Sequence, residues 1–399
     1  MSHLSIWRLA VMVAACAPLA YYIVATIAAV RFFAREQRKN VSAYLPSVSV
    51  LKPVRGVDFA SDGNFRSFCS QDYPEYEILF CVNDLADAAV PLIRQLIDEF
   101  PERNIRLFSN AQQLGSNRKV SNLVLLAREA KHELLVQSDG DIRVGPNFLR
   151  EMAAPFERPE TGVQSCLYRG VTQRNLWAET EALGVATDFS AGVMVADWKE
   201  EVTFALGASV ATTKTWLAKI GGYESLASVL ADDYEIGNRV ARAGGRVTIS
   251  REVVETIYPA TTFHGFWEHQ VRWARTVRLC RPASYVGLLV THGLPWAILG
   301  GIASGSLSGT ISFLAAYVVL RLLVAWTVGV WGLRDETTRK RLWLLPLRDA
   351  IHFAVWLGSF FSNRVAWGGM EFRLTANGEM VAIGPVAAKK GKERGLQAG

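Results

Sequence analysis

The 399-residue sequence predicts an α/β domain, a mostly parallel sheet with helices on both faces, joined to apolar helices long enough to cross a membrane. Three observations carry this. The longest apolar stretches lie toward the two ends of the chain, the middle alternates short apolar runs with amphipathic helical patterns, and several of those runs close on acidic residues. The average composition alone hides this layout. At 50% hydrophobic and 20% charged, with mean hydropathy +0.15, the chain is too apolar for an ordinary soluble enzyme and too polar for a polytopic transporter. That composition also excludes a disordered, collagen-like or disulfide-scaffold protein.

Residues 1–31 read as an N-terminal transmembrane anchor. Leu9 to Val30 is 22 residues without Asp, Glu, Lys or Arg, about 33 Å as a helix, enough to cross a bilayer core. The run is too long for a secretory signal and leads into Arg31, Arg35, Arg38 and Lys39 instead of a small-residue cleavage site. The positive-inside rule then places the chain beyond residue 31 in the cytoplasm. Pro282 to Leu333 is a second apolar region, with Arg321 as its one charged residue and a glycine- and serine-rich break near Gly305. It reads as two transmembrane helices. Arg334, Arg339, Lys340 and Arg341 come next, again marking a cytoplasmic loop. Residues 342–361, interrupted by Pro346, Arg348, Asp349 and His352, read as an interfacial, re-entrant or third C-terminal membrane segment. Residues 362–399 read as a basic cytoplasmic tail carrying Arg364, Arg373, Lys389, Lys390, Lys392 and Arg394. Arg321, in mid-span, needs a partner, and Asp349 is the candidate.

Residues 45–281 have the composition of a soluble domain. Ser47 to Val54, Tyr76 to Asn83, Asn104 to Phe108 and Glu133 to Ser138 read as strands, with helices over Ala86 to Phe100 and Arg118 to Ala130. Strand–helix alternation at this spacing implies a largely parallel sheet, and ligands of such sheets bind beyond the carboxyl ends of the strands. The five cysteines form no CxxC pair and no zinc-type cluster with histidine. The net charge of +6 gathers beside the apolar segments, which favours anionic lipid head groups and not nucleic acid as its partner.

Asp139 and Asp141, separated by Gly140 and placed just after an apolar strand, can converge on one hard divalent cation through oxygen ligands. Read alone, this D-x-D is also a common strand-end turn. Asp84, at the tip of a neighbouring strand, either contacts a base or ribose or caps the next helix. Gly115-Ser116-Asn117-Arg118-Lys119 opens a helix, where backbone N–H groups and two cations offer an anion site. Asp232 and Asp233 begin another helix, as acidic first-turn residues suited to its dipole or as catalytic groups. His269, Gln270, Arg272, Trp273, Arg275 and Arg278 precede the second apolar region, as a basic juxtamembrane face or a diphosphate clamp. Gly-x-Gly-x-x-Gly and the GK[ST] phosphate loop are both absent, which removes the main support for dinucleotide oxidoreductase and P-loop readings.

In this order and spacing, Asp84, Asp139, Asp233 and Arg272-Trp273 resemble the D1, D2, D3, (Q/R)xxRW signature of family 2-type glycosyltransferases, and more closely the ceramide glucosyltransferase group, glycosyltransferase family 21. Leu51 to Gly56, Gln71 to Pro74, Asn117 to Asn122, Gly207-Ala208-Ser209 and Gly221-Gly222-Tyr223 add to the resemblance, which covers about residues 45 to 280. One departure stands out. Three residues before Arg272 this chain has His269, with Gln270 displaced by one.

The resemblance implies a GT-A-like nucleotide-sugar fold and an inverting hexosyltransferase of the inner membrane. The donor it implies is a UDP-sugar, with Asp84 at the uracil-ribose part, Lys119 at the diphosphate, and Asp139 with Asp141 holding Mg²⁺ or Mn²⁺. Asp233 is implied as general base, assisted or merely flanked by Asp232. Arg272 is implied at the leaving-group charge, and Trp273 over the acceptor or sugar. The implied reaction is ceramide glucosyltransferase, from UDP-glucose to ceramide. The alternative is a hopanoid or other lipid acceptor with UDP-N-acetylglucosamine. Outside enzymes, a membrane-anchored nucleotide-binding protein is the rival.

Overall fold

A computed structural model describes residues 3–34, 44–199, 202–376 and 378–385. The basic residues Arg35, Arg38 and Lys39, and Lys389, Lys390, Lys392 and Arg394, lie outside them. The central sheet has eight strands: β1 Val48–Pro53, β2 Tyr76–Val82, β3 Asn104–Ser109, β4 Leu134–Ser138, β5 Ile142–Arg143, β6 Thr161–Thr172, β7 Ser209–Thr213 and β8 Arg246–Tyr258. Their order across the sheet is β3, β2, β1, β4, β7, β6, β8, β5. β1, β2, β3 and β4 are mutually parallel, as are β6 and β8, while β7 and β5 run against their neighbours.

Alternation along the strands divides the core between the two faces of the sheet. Val48, Val50, Ile78, Phe80 and Val136 pack with Phe65, Phe68, Val90 and Ile93, from the helices Ser61–Cys69 and Ala89–Glu99. Leu51, Leu79, Cys81 and Leu135 pack with Val120, Leu123 and Val124 of the helix Arg118–Glu129. With both faces covered, β1, β2 and β4 are buried along their whole length. β1 is flanked in space by β2 on one side and β4 on the other. The sheet therefore has its topological switch between the ends of β1 and β4, where such folds open a ligand crevice.

The helix His3–Ala34 covers the first apolar segment. The second holds a bent pair, Pro282–Thr291 with Gly293–Ser304 at 54°, then Leu307–Gly332. The chain reverses between them at Gly305, left-handed at φ 66°, and Ser306 caps the next helix through the Gly309 N–H at 3.1 Å. Ile6–Ala34 and Leu307–Gly332 are each long and apolar enough to cross a membrane, and the bent pair is a third if it is one span. The helix Leu345–Gly358 has 14 residues, about 21 Å, short of a bilayer core. Arg321 does meet Asp349: its Nε and Nη2 donate to both carboxylate oxygens at 2.9 to 3.2 Å, and Tyr317 donates to the same carboxylate at 2.8 Å.

Two elements depart from the sequence reading. Between β6 and β7, helical turns run from Leu176 to Lys199 through a widened turn at Val185–Phe189 and pack on His3–Ala34. Glu179, Glu181 and Asp188 conceal this segment's apolar character in the sequence; in the fold they meet Arg341, His269 and Arg321. The region expected as a basic tail over 362–399 is also ordered along its first part. β9 Arg364–Trp367, β10 Met370–Leu374 and β11 Met380–Pro385 form an antiparallel sheet around Val365, Phe372, Leu374 and Met380. Its strands are four to six residues long, with charges in β9 and β10, too short to stand out from a basic tail.

Candidate active site

The site is assembled by fastening three chain segments that are distant in sequence. Asn117 caps the helix Arg118–Glu129, its side chain accepting from the Val120 N–H at 3.2 Å and donating to the Val229 carbonyl at 2.8 Å. Gly115 sits so close to Ala227 that a Cβ would lie 2.4 Å from its carbonyl oxygen. The C-terminal sheet closes the joint from outside. Met380 N–H donates to the Ser228 carbonyl at 2.7 Å, and Ser116 Oγ donates to the Met380 carbonyl at 2.8 Å. Lys119 is thereby held against the start of the helix Asp232–Arg242.

At that joint Lys119 Nζ lies 2.7 Å from Asp139 Oδ1 and 3.3 Å from Asp232 Oδ2. Burial opposes the charge on Lys119, but Asp139, Asp232 and Asp233 outweigh it and hold the ammonium firmly protonated. Asp139 itself comes just after β4 at the switch point. Its N–H donates to the Ala208 carbonyl, and its carbonyl accepts from Lys52 Nζ at 2.7 Å. Lys52 is fully buried over the Phe68 ring, and this burial pushes it down to about 7 against the pull of Asp141 and Asp139.

Asp233 occupies space that exists because residue 207 is glycine: a Cβ there would lie 2.6 Å from Asp233 Oδ2. Burial and the neighbouring Asp232 push its carboxyl up to about 6, with Lys119 working the other way. Asp141 is pushed up to about 7 by burial and by Asp139. The Tyr168 phenol is raised by burial and by Asp233, Asp141, Asp139 and Glu181.

Glu181 ties in the helix Phe263–Cys280. It is hydrogen-bonded to His269 Nδ1, whose ring lies 4.7 Å from that of Trp273. Burial lowers the Arg272 guanidinium, and Glu181 counters it. Gln270 is buried in the same helix. Arg275 and Arg278, weighed as clamp residues in the sequence, instead donate to the Arg364 carbonyl and to Asn363 Oδ1 and so hold the C-terminal sheet. Asp84 stands exposed beyond β2, its carboxylate accepting from the Ala86 N–H at 2.9 Å. Lys52, Tyr168 and Glu181 escaped the sequence reading. Only Lys52, within Leu51-Lys52-Pro53, lay in a segment that had drawn notice.

The donor set suits a hard cation. Asp139 and Asp141 offer carboxylate oxygens, and Asp141 is raised by burial and by repulsion from Asp139, a repulsion that a divalent ion relieves. Among the described residues no third His, Cys, Asp or Glu joins them.

A family model, glycosyl transferase family 21, matches residues 10–380. The chain belongs to that family. Within family 21 and its surroundings, the chain is 24% identical over 353 residues to "Ceramide glucosyltransferase 1" of Caenorhabditis elegans, covering 84% of this chain and 73% of that one. It is 22% identical over 257 residues to "Beta-monoglucosyldiacylglycerol synthase" of Trichormus variabilis, covering 60% and 51%. A mannosyltransferase from Pyrobaculum calidifontis, solved with GDP-Man and Mn2+, superposes with a TM-score of 0.53 at 17% identity, covering 90% of this chain and 99% of that one. That likeness bears out the GT-A-like fold. This family 21 member is a glycosyltransferase with a mostly parallel α/β domain.

Proposed function

We propose that this family 21 member transfers glucose from UDP-glucose to the primary hydroxyl of ceramide with inversion, at the cytoplasmic face of a membrane that its apolar helices cross. The observation that carries the chemistry is the meeting of Lys119, Asp139, Asp232 and Asp233 at the sheet's switch point. An alcohol is a poor nucleophile at neutral pH. Asp233, ionised near pH 7 and still basic through its burial, accepts the proton of the acceptor hydroxyl as that oxygen bonds to the anomeric carbon. The bond from that carbon to the UDP oxygen breaks on the opposite face, and its electron pair leaves with the diphosphate. Lys119, and Arg272 from the facing helix, stabilise that growing negative charge. Asp139 and Asp141 would hold Mg²⁺ or Mn²⁺, which supplies further charge neutralisation on the diphosphate when bound. Asp84 contacts the uracil-ribose end, while His269, Gln270 and Trp273 shape the acceptor side beside Glu181.

The lipid acceptor is supported by the membrane-length helices and by relatives whose names are ceramide glucosyltransferase. A lipid alcohol is held in the bilayer by about 0.8 kcal/mol per buried CH₂, so the enzyme brings its site to the surface. The synthase named for diacylglycerol favours a second reading, a different lipid acceptor, hopanoids included. The deciding experiment reconstitutes the full chain in nanodiscs with labelled UDP-glucose or UDP-N-acetylglucosamine and ceramide, diacylglycerol or a hopanoid polyol. Labelled β-glucosylceramide is the expected product. Label in another lipid, or only from the other donor, replaces the proposal.

A further inference from the structure

Lys52 is fully buried, with its Nζ 3.9 Å from the centroid of the Phe68 ring and 6.0 Å from that of Phe65. Among the described residues its hydrogen bond goes to a backbone oxygen, the Asp139 carbonyl, at 2.7 Å. Lysine is a costly residue with which to fill an apolar core. The bond it makes there is therefore the place to look for its role.

That bond stands where the sheet stops holding itself together. β1 and β4 pair from Val48 with Leu134 as far as Leu51 with Gln137, while β1 stays paired to β2 through Lys52 and Pro53. Pro53 has no N–H to extend a ladder. Beyond Leu51 the Lys52 side chain takes over, reaching from β1 to Asp139, the residue that follows β4. Asp139 opens a turn that the Ile142 N–H closes on the same carbonyl at 3.3 Å. Elsewhere backbone moors this turn: the Asp139 N–H donates to the Ala208 carbonyl at 3.3 Å, and the Asp141 carbonyl accepts from the Ile257 N–H at 3.1 Å. Toward β1 the hydrogen bond that fixes it comes from Lys52, and it is the shortest of these. An amine donates such a bond as an ammonium does, so the tie holds whichever form Lys52 takes.

We infer that Lys52 is a positioning residue: through the Asp139 carbonyl it sets the turn so that the Asp139 and Asp141 carboxylates converge on one divalent cation. The inference rests on the metal reading given under Proposed function, and not on the identity of sugar or acceptor. It takes Lys52 as touching neither substrate.

The test measures Mn²⁺ binding by electron paramagnetic resonance, on the full chain in phosphatidylcholine nanodiscs with UDP present. Lys52→Met keeps the unbranched apolar path of the side chain and leaves the Asp139 carbonyl with the Ile142 N–H; it is expected to weaken Mn²⁺ binding by about tenfold, the usual loss when the partner of a metal ligand is removed. At saturating Mn²⁺ its kcat should return to within a few-fold of wild type, because the bound cation then holds the carboxylates itself. Lys52→Gln, whose amide ends one atom short of Asp139, is the second variant and should show the same loss. Phe68→Leu disturbs the packing around Lys52 and keeps its hydrogen bond, so its melting temperature should fall while its Mn²⁺ affinity stays within about twofold of wild type. Wild-type Mn²⁺ affinity in both lysine variants overturns the inference. An equal loss in Phe68→Leu overturns it too and assigns the effect to packing. A wild type that takes up no Mn²⁺ removes the metal reading and this inference with it, a failure visible before any substitution is made.

Discussion

Two buried clusters of charge invite comparison, one at the ends of the strands and one among the apolar helices. Around Arg321 the charges are matched. Asp349 and Asp188 accept from its guanidinium, a second guanidinium, Arg348, lies 3.6 Å from Asp188, and Thr187 at 3.1 Å and Tyr317 complete the polar contacts. At the strand ends the charges are mismatched, since four aspartates gather with Lys119, and Asp233, Asp141 and Lys52 are displaced toward neutral pH. A matched cluster ties helices together. A mismatched one is completed by ligands and holds groups ready to exchange protons near pH 7.

Breaking the matched cluster should be felt in folding. Arg321→Met strands Asp349, while Asp188 keeps Arg348 at 3.6 Å, and is expected to destabilise the chain by about 3–5 kcal/mol, because an unpaired charge is left buried. Thermal unfolding in detergent measures it, and pairing the change with Asp349→Leu should recover much of the loss. Activity per folded molecule should stay near wild type.

The mismatched cluster should respond in rate. Gly207→Ala drives a methyl into the Asp233 carboxylate, and a base displaced by about 1 Å loses on the order of 10²-fold in kcat. Its melting temperature should move little beside that of Arg321→Met. The pH profile is the gentlest probe. Asp233 acts as a base when ionised and is pushed up to about 6, so kcat/KM should be level above that pH and fall about tenfold per unit below it.

What was legible in the sequence came from local pattern. β1, β2 and β4 are buried on both faces, so each shows as a short, mostly apolar run, and Asp139 with Asp141 are near enough in sequence to be read as one feature. β6 and β8 were missed because Gln164, Arg169, Glu252 and Glu255 break their apolar character; Arg169 and Glu255 answer each other across the two strands, and Gln164 donates to the Glu151 carbonyl. The ion pairs of Lys119 depend on how the Asn117 cap reaches Val229 and how Met380 closes over Ser228. No local spacing encodes those contacts. Arg321 and Asp349 were readable for a different reason: a charge in mid-span demands a partner, and few candidates lay within reach.

The central claim is that Asp233 is the base while the groups around Lys119 hold the donor. Asp233→Asn tests it most directly, with transfer and UDP binding measured on the same reconstituted protein. A base at this position predicts a loss of on the order of 10²–10⁴-fold in kcat, with UDP affinity and melting temperature close to wild type. Turnover within a few-fold of wild type would contradict it.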